Sequence, residues 1–134
     1  MRAIKLAMAQ KNIFTKAKCA VLVGGVDMMA QAILLAKRPH VIVGTPGRLV
    51  DHLQHTRGFS VRTVRFAVLD EADKLLELGF LEQVDEILAT CNREGVQRAL
   101  FSATMQPQIE DLVNSVLRTP VKVVVGDRNA AADT

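Results

Sequence analysis

The sequence predicts an α/β fold in which a mostly parallel sheet carries helices on both faces. Short apolar runs bounded by glycine, proline or charge alternate with segments of helical spacing. Several of these runs end directly in a glycine-rich, hydroxyl-bearing or acidic motif. At 134 residues the chain is long enough for one domain with its own core. Because a helix between two strands returns the chain to the same end of the sheet, this alternation favours parallel pairing.

The first half of the chain alternates helix and strand. Asp27 can cap a helix, since its carboxylate can accept the N–H groups of the first turn. Pro46 suits the first turn of another helix, where its missing N–H would have no partner in any case. The expected elements are a helix over residues 4–10, a strand over 19–24, a helix to about residue 37, a strand over 41–43 and a helix to residue 53.

The second half continues the alternation. Leu81, Val84, Ile87 and Leu88 have the spacing of an amphipathic helix, and Pro107 can begin another. The expected elements are a strand over residues 64–69, a short helical segment over 75–78, a helix over 81–88, a strand over 98–101, a helix over 107–117 and a strand over 121–125. Small and polar residues from position 126 onwards are typical of a linker or a free end.

The composition restricts the function classes. The net charge of +3 permits contact with phosphates, although a mixed solvated surface explains it equally well. The absence of Trp and Tyr disfavours base stacking, so any nucleic acid would be contacted through its backbone. No apolar run approaches a membrane span and no signal peptide is recognisable, which predicts an intracellular protein without membrane contact. Cys19 and Cys91 form no metal-binding pair.

The acidic cluster Asp70-Glu71-Ala72-Asp73 closes the apolar run of residues 66–69, which predicts a buried strand. Clustered carboxylates repel one another, and a bound cation is the usual compensation. Oxygen ligands suit Mg²⁺, and open α/β sheets bind ligands at the carboxyl ends of their strands. The start of a helix explains the same residues about equally well.

Three more motifs end apolar runs: Gly24-Gly25, Thr45-Pro46-Gly47-Arg48 and Ser102-Ala103-Thr104. Glycines allow backbone N–H groups to approach phosphate oxygens closely. A helix N-terminus with the Thr45 hydroxyl and Arg48 beside it suits an anion. His52 and His55, three residues apart, are expected on the solvated surface, because a metal site needs more ligands than these two.

The four motifs, in this order and at this spacing, resemble the first RecA-like domain of the DEAD-box ATP-dependent RNA helicases, a P-loop NTPase fold. The resemblance extends from about residue 20 to residue 126. It implies an enzyme that hydrolyses ATP under stimulation by RNA and separates RNA duplexes locally, with ATP and Mg²⁺ as cofactors. It leaves the nucleus, the nucleolus and the cytoplasm open as locations.

The resemblance also implies roles for individual residues. Asp70 would hold Mg²⁺ beside the nucleotide phosphates, and Glu71 would orient and deprotonate the attacking water. Asp73 would contact both the nucleotide site and the turn formed by Ser102, Ala103 and Thr104, which would couple nucleotide state to RNA binding. The residues expected on the RNA sugar–phosphate backbone are Gly24, Gly25, Thr45, Pro46, Gly47 and Arg48.

The chain lacks one expected motif, since no G-x-x-x-x-G-K-[ST] phosphate loop occurs in it. In the family this Walker A segment lies upstream, and its strand separates the strand before Ser102 from residues 121–125. We therefore expect residues 1–126 to be an incomplete RecA-like domain without the Walker A strand, and residues 127–134 to begin a linker or a disordered tail. A second RecA-like domain, which supplies an arginine in the family, is also missing.

The incomplete domain leaves several functions open. We expect the fragment not to turn over ATP by itself, and its exposed sheet edges to favour self-association. A non-catalytic module that binds RNA or a protein partner remains the main alternative. A different ATPase of the same fold, or a DNA helicase, is the third, and the four motifs favour the RNA-directed enzymes over it.

Overall fold

The computed structural model describes residues 17–126, which form an α/β fold as predicted. The helix expected over residues 4–10 and the tail 127–134 lie outside the described residues. The elements are β1 (Cys19–Leu22), α1 (Met28–Ala36), β2 (Val41–Gly44), α2 (Pro46–His55), β3 (Phe66–Leu69), α3 (Ala72–Glu77), α4 (Leu81–Thr90), β4 (Gln97–Leu100) and α5 (Pro107–Val116).

The described strands pair in parallel, which confirms the predicted pairing. β1 lies beside β2 with Leu22 opposite Gly44, and β3 lies beside β4 with Leu69 opposite Leu100. These are two separate two-stranded sheets, where the sequence predicted one sheet. In each pair the carboxyl ends of both strands lie at the same edge, so the loops that follow them are neighbours.

Each sheet has its own apolar core. The smaller core is built from Ala20, Leu22 and Leu35, with Ile42, Leu49 and Phe59 packed against them. The larger core consists of Ala72, Val84, Leu88, Ile109, Leu112 and Val116. Helix α2 packs against α4, and the Gln54 amide donates to Glu86 Oε1 at 2.9 Å across that contact. The two sheets are therefore joined through their helices.

Two strand predictions are wrong in detail. Residues 121–125 have no strand partner within the described chain, and their four valines are 60–94% exposed. A strand needs a neighbour for its N–H and C=O groups, and no described element offers one here. β3 is not buried on both faces either. Phe66 and Val68 are 63% and 60% exposed, whereas Ala67 and Leu69 pack against the larger core.

Helix ends are held by specific side chains. Asp27 accepts a hydrogen bond from Ala30 N at 3.1 Å, as predicted for an N-cap. Pro46 and Pro107 each occupy a first turn, as predicted. Arg98 donates to three carbonyls at the ends of α4 and α5. The acceptors are Leu88 O at 3.2 Å, Cys91 O at 3.4 Å and Val116 O at 3.1 Å.

Replacement of Ile109 by alanine tests the larger core. Ile109 is 1% exposed, so Ile109→Ala should lower the free energy of unfolding by about 2–4 kcal/mol through lost burial and a residual cavity. Urea denaturation followed by circular dichroism measures this change. Asn114→Ala, at an exposed position of the same helix, is the control and should change stability by less than about 0.5 kcal/mol. Equal effects of the two substitutions would contradict the assigned core.

Candidate functional site

The first two motifs meet at the carboxyl ends of β1 and β2. The glycine loop, residues 23–26, follows β1, and Gly25 has φ +75, a conformation that favours glycine. Arg48 Nη1 donates to Val26 O at 2.9 Å, and Thr45 N donates to Leu22 O at 3.0 Å. Arg48 and the glycine loop are thereby joined, although they lie far apart in sequence.

The start of α2 leaves polar backbone groups open. Thr45 occupies the N-cap position, but its side chain makes no cap hydrogen bond, and Pro46 behind it is buried. The N–H groups of the first turn are therefore available to an anionic ligand. The Arg48 side chain is only 12% exposed, and Nε lies 3.8 Å from Asp51 Oδ2. In this arrangement Arg48 holds the protein backbone at Val26.

Gly44 is a close-packed position that the sequence analysis missed. A Cβ atom there would lie 2.8 Å from Leu22 O and 3.1 Å from Leu49 Cγ, so a side chain does not fit between β1, β2 and α2. A glycine at the end of a short strand was the available signal, since such positions often mark close approach of another backbone. Gly44 thus sets the spacing of the turn that begins at Thr45.

The acidic cluster lies at the carboxyl end of β3. Asp70 and Glu71 are both exposed, and Asp70 Oδ1 accepts from Glu71 N at 3.0 Å. Glu71 precedes α3 with φ 51 and ψ 51, a left-handed conformation that costs a non-glycine residue about 1–2 kcal/mol. Its side chain makes no cap hydrogen bond. The Glu71 carboxylate therefore does not cap the helix, although α3 begins at Ala72 within the acidic cluster and carries Asp73 in its first turn, as the alternative explanation predicted.

The third and fourth motifs also meet. Ala72 N donates to Phe101 O at 3.0 Å and Phe101 N to Leu69 O at 2.8 Å, so the chain after β3 is joined to the chain after β4. Beyond this point Thr104 Oγ1 donates to Asp73 Oδ2 at 3.5 Å. Ser102 Oγ is buried without a hydrogen-bond partner among the described residues. Ala103 is exposed between Ser102 and Thr104.

The four motifs thus form two pairs, one at each sheet. The start of α2 lies next to the start of α4, because a Cβ atom on Gly47 would lie 4.0 Å from the ring of Phe80, the N-cap residue of α4. Within residues 17–126, no three His, Cys, Asp or Glu side chains are grouped as a metal site. Mg²⁺ in nucleotide sites uses one or two carboxylates together with phosphate and water oxygens. Asp70 fits such a partial ligand set.

A buried polar network underlies the first pair of motifs. His52 is fully buried, so its predicted surface position is wrong, whereas His55 is exposed as predicted. The His52 ring lies 2.9 Å from Gln31 Oε1 through Nε2 and 2.7 Å from Thr56 Oγ1 through Nδ1. Gln31 Nε2 in turn donates to Val23 O at 2.9 Å. No motif or spacing in the sequence indicated this network.

The network predicts a pH dependence of stability. Burial lowers the pKa of His52, and Arg48 lowers it further against the opposing effect of Asp51. In the unfolded chain, His52 takes up a proton below its ordinary pKa of about 6.5. In the native chain, the ring stays neutral to a lower pH. The free energy of unfolding should therefore decrease as the pH falls below about 6.5. Urea denaturation between pH 7.5 and 5.0 measures this slope.

Variants are needed to isolate the contribution of His52 to this slope. His52→Gln should show a shallower slope than the unmodified chain because it removes the titrating ring. His55→Ala, which changes an exposed histidine of the same helix, should keep the slope. An unchanged slope in His52→Gln would show that His52 does not titrate differently on folding.

Pairs of motifs at the carboxyl ends of parallel strands are characteristic of a nucleotide- or nucleic-acid-binding α/β protein. The sequence model of the DEAD/DEAH box helicases matches residues 1–112, and the chain belongs to this family. The expected resemblance is therefore confirmed. Within the described residues, no helix is long and apolar enough to span a bilayer.

Several known proteins are similar to the chain. It is 53% identical over 108 residues to the ATP-dependent rRNA helicase RRP3 of Gibberella zeae, an alignment that covers 81% of this chain and 22% of that protein. The crystal structure of the yeast DEAD-box splicing factor Prp28 matches with a TM-score of 0.78 and 31% identity, covering 94% of this chain and 30% of that one. Mss116p, solved bound to ssRNA and AMP-PNP, matches with a TM-score of 0.72 and 32% identity, covering 87% and 24%.

These similarities confirm the RecA-like fold and its partial extent. The chain spans about a fifth of the length of RRP3 from Gibberella zeae.

Proposed function

We propose that this chain is the later part of the first RecA-like domain of an ATP-dependent RNA helicase. In the whole protein, ATP hydrolysis stimulated by RNA would drive local separation of RNA duplexes. The observation that carries the proposal is the contact between the acidic cluster and the Ser102–Thr104 turn at the end of the β3–β4 pair, in a chain of this family. An intracellular location, in the nucleus, nucleolus or cytoplasm, follows from this function.

The acidic cluster supplies the nucleotide chemistry. Asp70 would hold Mg²⁺, and the bound ion neutralises phosphate charge during phosphoryl transfer. Glu71 is exposed and lies just after β3, at the start of α3. Its carboxylate would orient a water molecule and accept a proton from it. Asp73, hydrogen-bonded to Thr104, would transmit the state of the nucleotide to the turn after β4.

The other pair of motifs forms the RNA-binding side. The exposed Gly24 and Gly25 offer backbone that can approach phosphates closely. The first turn of α2, which begins with Thr45 and Pro46, offers the N–H groups of Gly47 and Arg48 to an anion. Arg48 would contribute by holding the glycine loop at Val26 and by its positive charge. Contact through the sugar–phosphate backbone predicts weak sequence preference. The ssRNA bound in the similar Mss116p supports RNA as the partner.

Phosphate release tests the enzymatic proposal. With ATP, Mg²⁺ and RNA, the 134-residue chain alone should release no phosphate above background, because its sequence has no phosphate loop. The full-length protein that carries this chain should hydrolyse ATP, and Glu71→Gln should abolish turnover while ATP binding persists. Glu77→Gln is the matched control, since Glu77 lies on α3 and pairs with the exposed Lys74 at 2.8 Å. Turnover by the 134-residue chain that Glu71→Gln removes would contradict the proposal.

We also propose that the isolated chain associates with itself through its open sheet edges and the valines of residues 121–125. These valines are exposed and without a strand partner in the described chain. Light scattering coupled to size exclusion should show a mass that rises with concentration. Val123→Lys should reduce it, because an edge lysine opposes strand pairing, whereas Asn114→Lys, at an exposed position on α5, should not. A monodisperse monomer of high thermal stability would refute self-association.

A further inference from the structure

We infer that Gln31 and His52 are positioning residues that hold the glycine loop in the conformation that meets the nucleic-acid backbone. The inference rests on the proposed RNA-binding function and adds two residues that touch no ligand themselves. It assigns the buried polar network of α1 and α2 to the RNA-binding side of the molecule.

Side chains from α1 and α2 donate hydrogen bonds to both ends of the glycine loop. Gln31 Nε2, from α1, donates to Val23 O at 2.9 Å, and Arg48 Nη1, from α2, donates to Val26 O at 2.9 Å. Between these hydrogen bonds Gly24 and Gly25 have open space, since a Cβ atom at either position would meet nothing within 4 Å. Side-chain packing therefore does not order the tip of the loop, and the hydrogen bonds at its ends must do so.

The orientation of the Gln31 amide depends on His52. Gln31 Oε1 faces His52 Nε2 at 2.9 Å and Arg48 Nη1 at 3.4 Å, and the guanidinium group can only donate. The amide oxygen must therefore point towards these two groups, which directs the amide nitrogen to Val23 O. His52 then donates from Nε2, and Nδ1 accepts from the Thr56 hydroxyl at 2.7 Å. Gln31 Oε1 thus selects the ring tautomer, and the Thr56 hydroxyl, which can donate or accept, satisfies the remaining ring nitrogen.

Burial separates this network from an ordinary surface cluster. Gln31 is 1% exposed and His52 is fully buried. Apolar side chains of similar size would avoid the desolvation of two polar groups, so stability alone does not account for the pair. The hydrogen bonds run outward from His52 through Gln31 and end at the main chain of an exposed loop. A preorganised loop loses less conformational entropy when it binds, which increases affinity.

Backbone order parameters of the 134-residue chain, obtained from NMR relaxation, test the positioning role without RNA. In Gln31→Met and His52→Leu, the order parameters of Gly24 and Gly25 should fall below about 0.6, while those of Ala20 and Leu22 in β1 should stay at about 0.85. His52→Gln should keep the loop close to the order of the unmodified chain, because its amide nitrogen can take the place of the ring Nε2. His55→Ala is the control on the same helix and should leave the order parameters unchanged.

Fluorescence anisotropy with a labelled single-stranded oligouridine measures the consequence for binding. Gln31→Met and His52→Leu should weaken RNA binding about 5–10-fold, whereas His52→Gln and His55→Ala should bind nearly as well as the unmodified chain. If circular dichroism shows that His52→Leu does not fold, Gln31→Met and Thr56→Val test the same network, because each removes one hydrogen-bond partner of His52.

The outcomes separate this inference from the proposed function. Lower order parameters of Gly24 and Gly25 in the variants, together with no RNA binding by the unmodified chain, would support the positioning role and count against the RNA-binding function. Unchanged order parameters of Gly24 and Gly25 in folded Gln31→Met, with RNA bound equally by all variants, would overturn the positioning role and leave the function standing. An equal loss of order in the loop and in β1 would also overturn it, because the network would then stabilise the whole fold.

Discussion

Parallel pairing of short strands is the constraint on which the candidate site depends. Each described sheet contains two four-residue strands whose carboxyl ends lie at one edge. This geometry brings residues 23–26 next to the start of α2, and Asp73 next to Thr104. Neither pair of motifs is contiguous in sequence. An antiparallel arrangement of the same strands would place the members of each pair at opposite ends.

The two pairs of loops are stabilised by different means. In the loop after β1, side chains from other elements donate to the carbonyls of its first and last residues. Glycine allows the left-handed conformation at Gly25. The loop after β3 contains a glutamate in a left-handed conformation, held by main-chain hydrogen bonds between the segments after β3 and β4. Strain of this kind is typical of positions where a side chain must point in one direction. The difference matches the proposed division into an RNA side and a nucleotide side.

Local signals in the sequence predicted most elements. Asp27, Pro46 and Pro107 marked helix starts correctly, because capping and proline geometry depend only on neighbouring residues. The order of the four motifs predicted the fold through the family resemblance, and the structure brings the four motifs together in two pairs. The failures concern long-range contacts. The strand expected over residues 121–125 needs a neighbour that no described residue provides, and His52 is buried against Gln31, which lies 21 residues earlier in the chain.

Arg98 also depends on long-range contacts, since its three carbonyl acceptors come from segments before and after β4. A planar guanidinium with several donors can reach these oxygens together, and a lysine ammonium would carry the same charge without that shape. Arg98 thereby joins the ends of α4 and α5 to β4. The exchange of arginine for lysine, usually considered conservative, would here release two helix ends from the same strand.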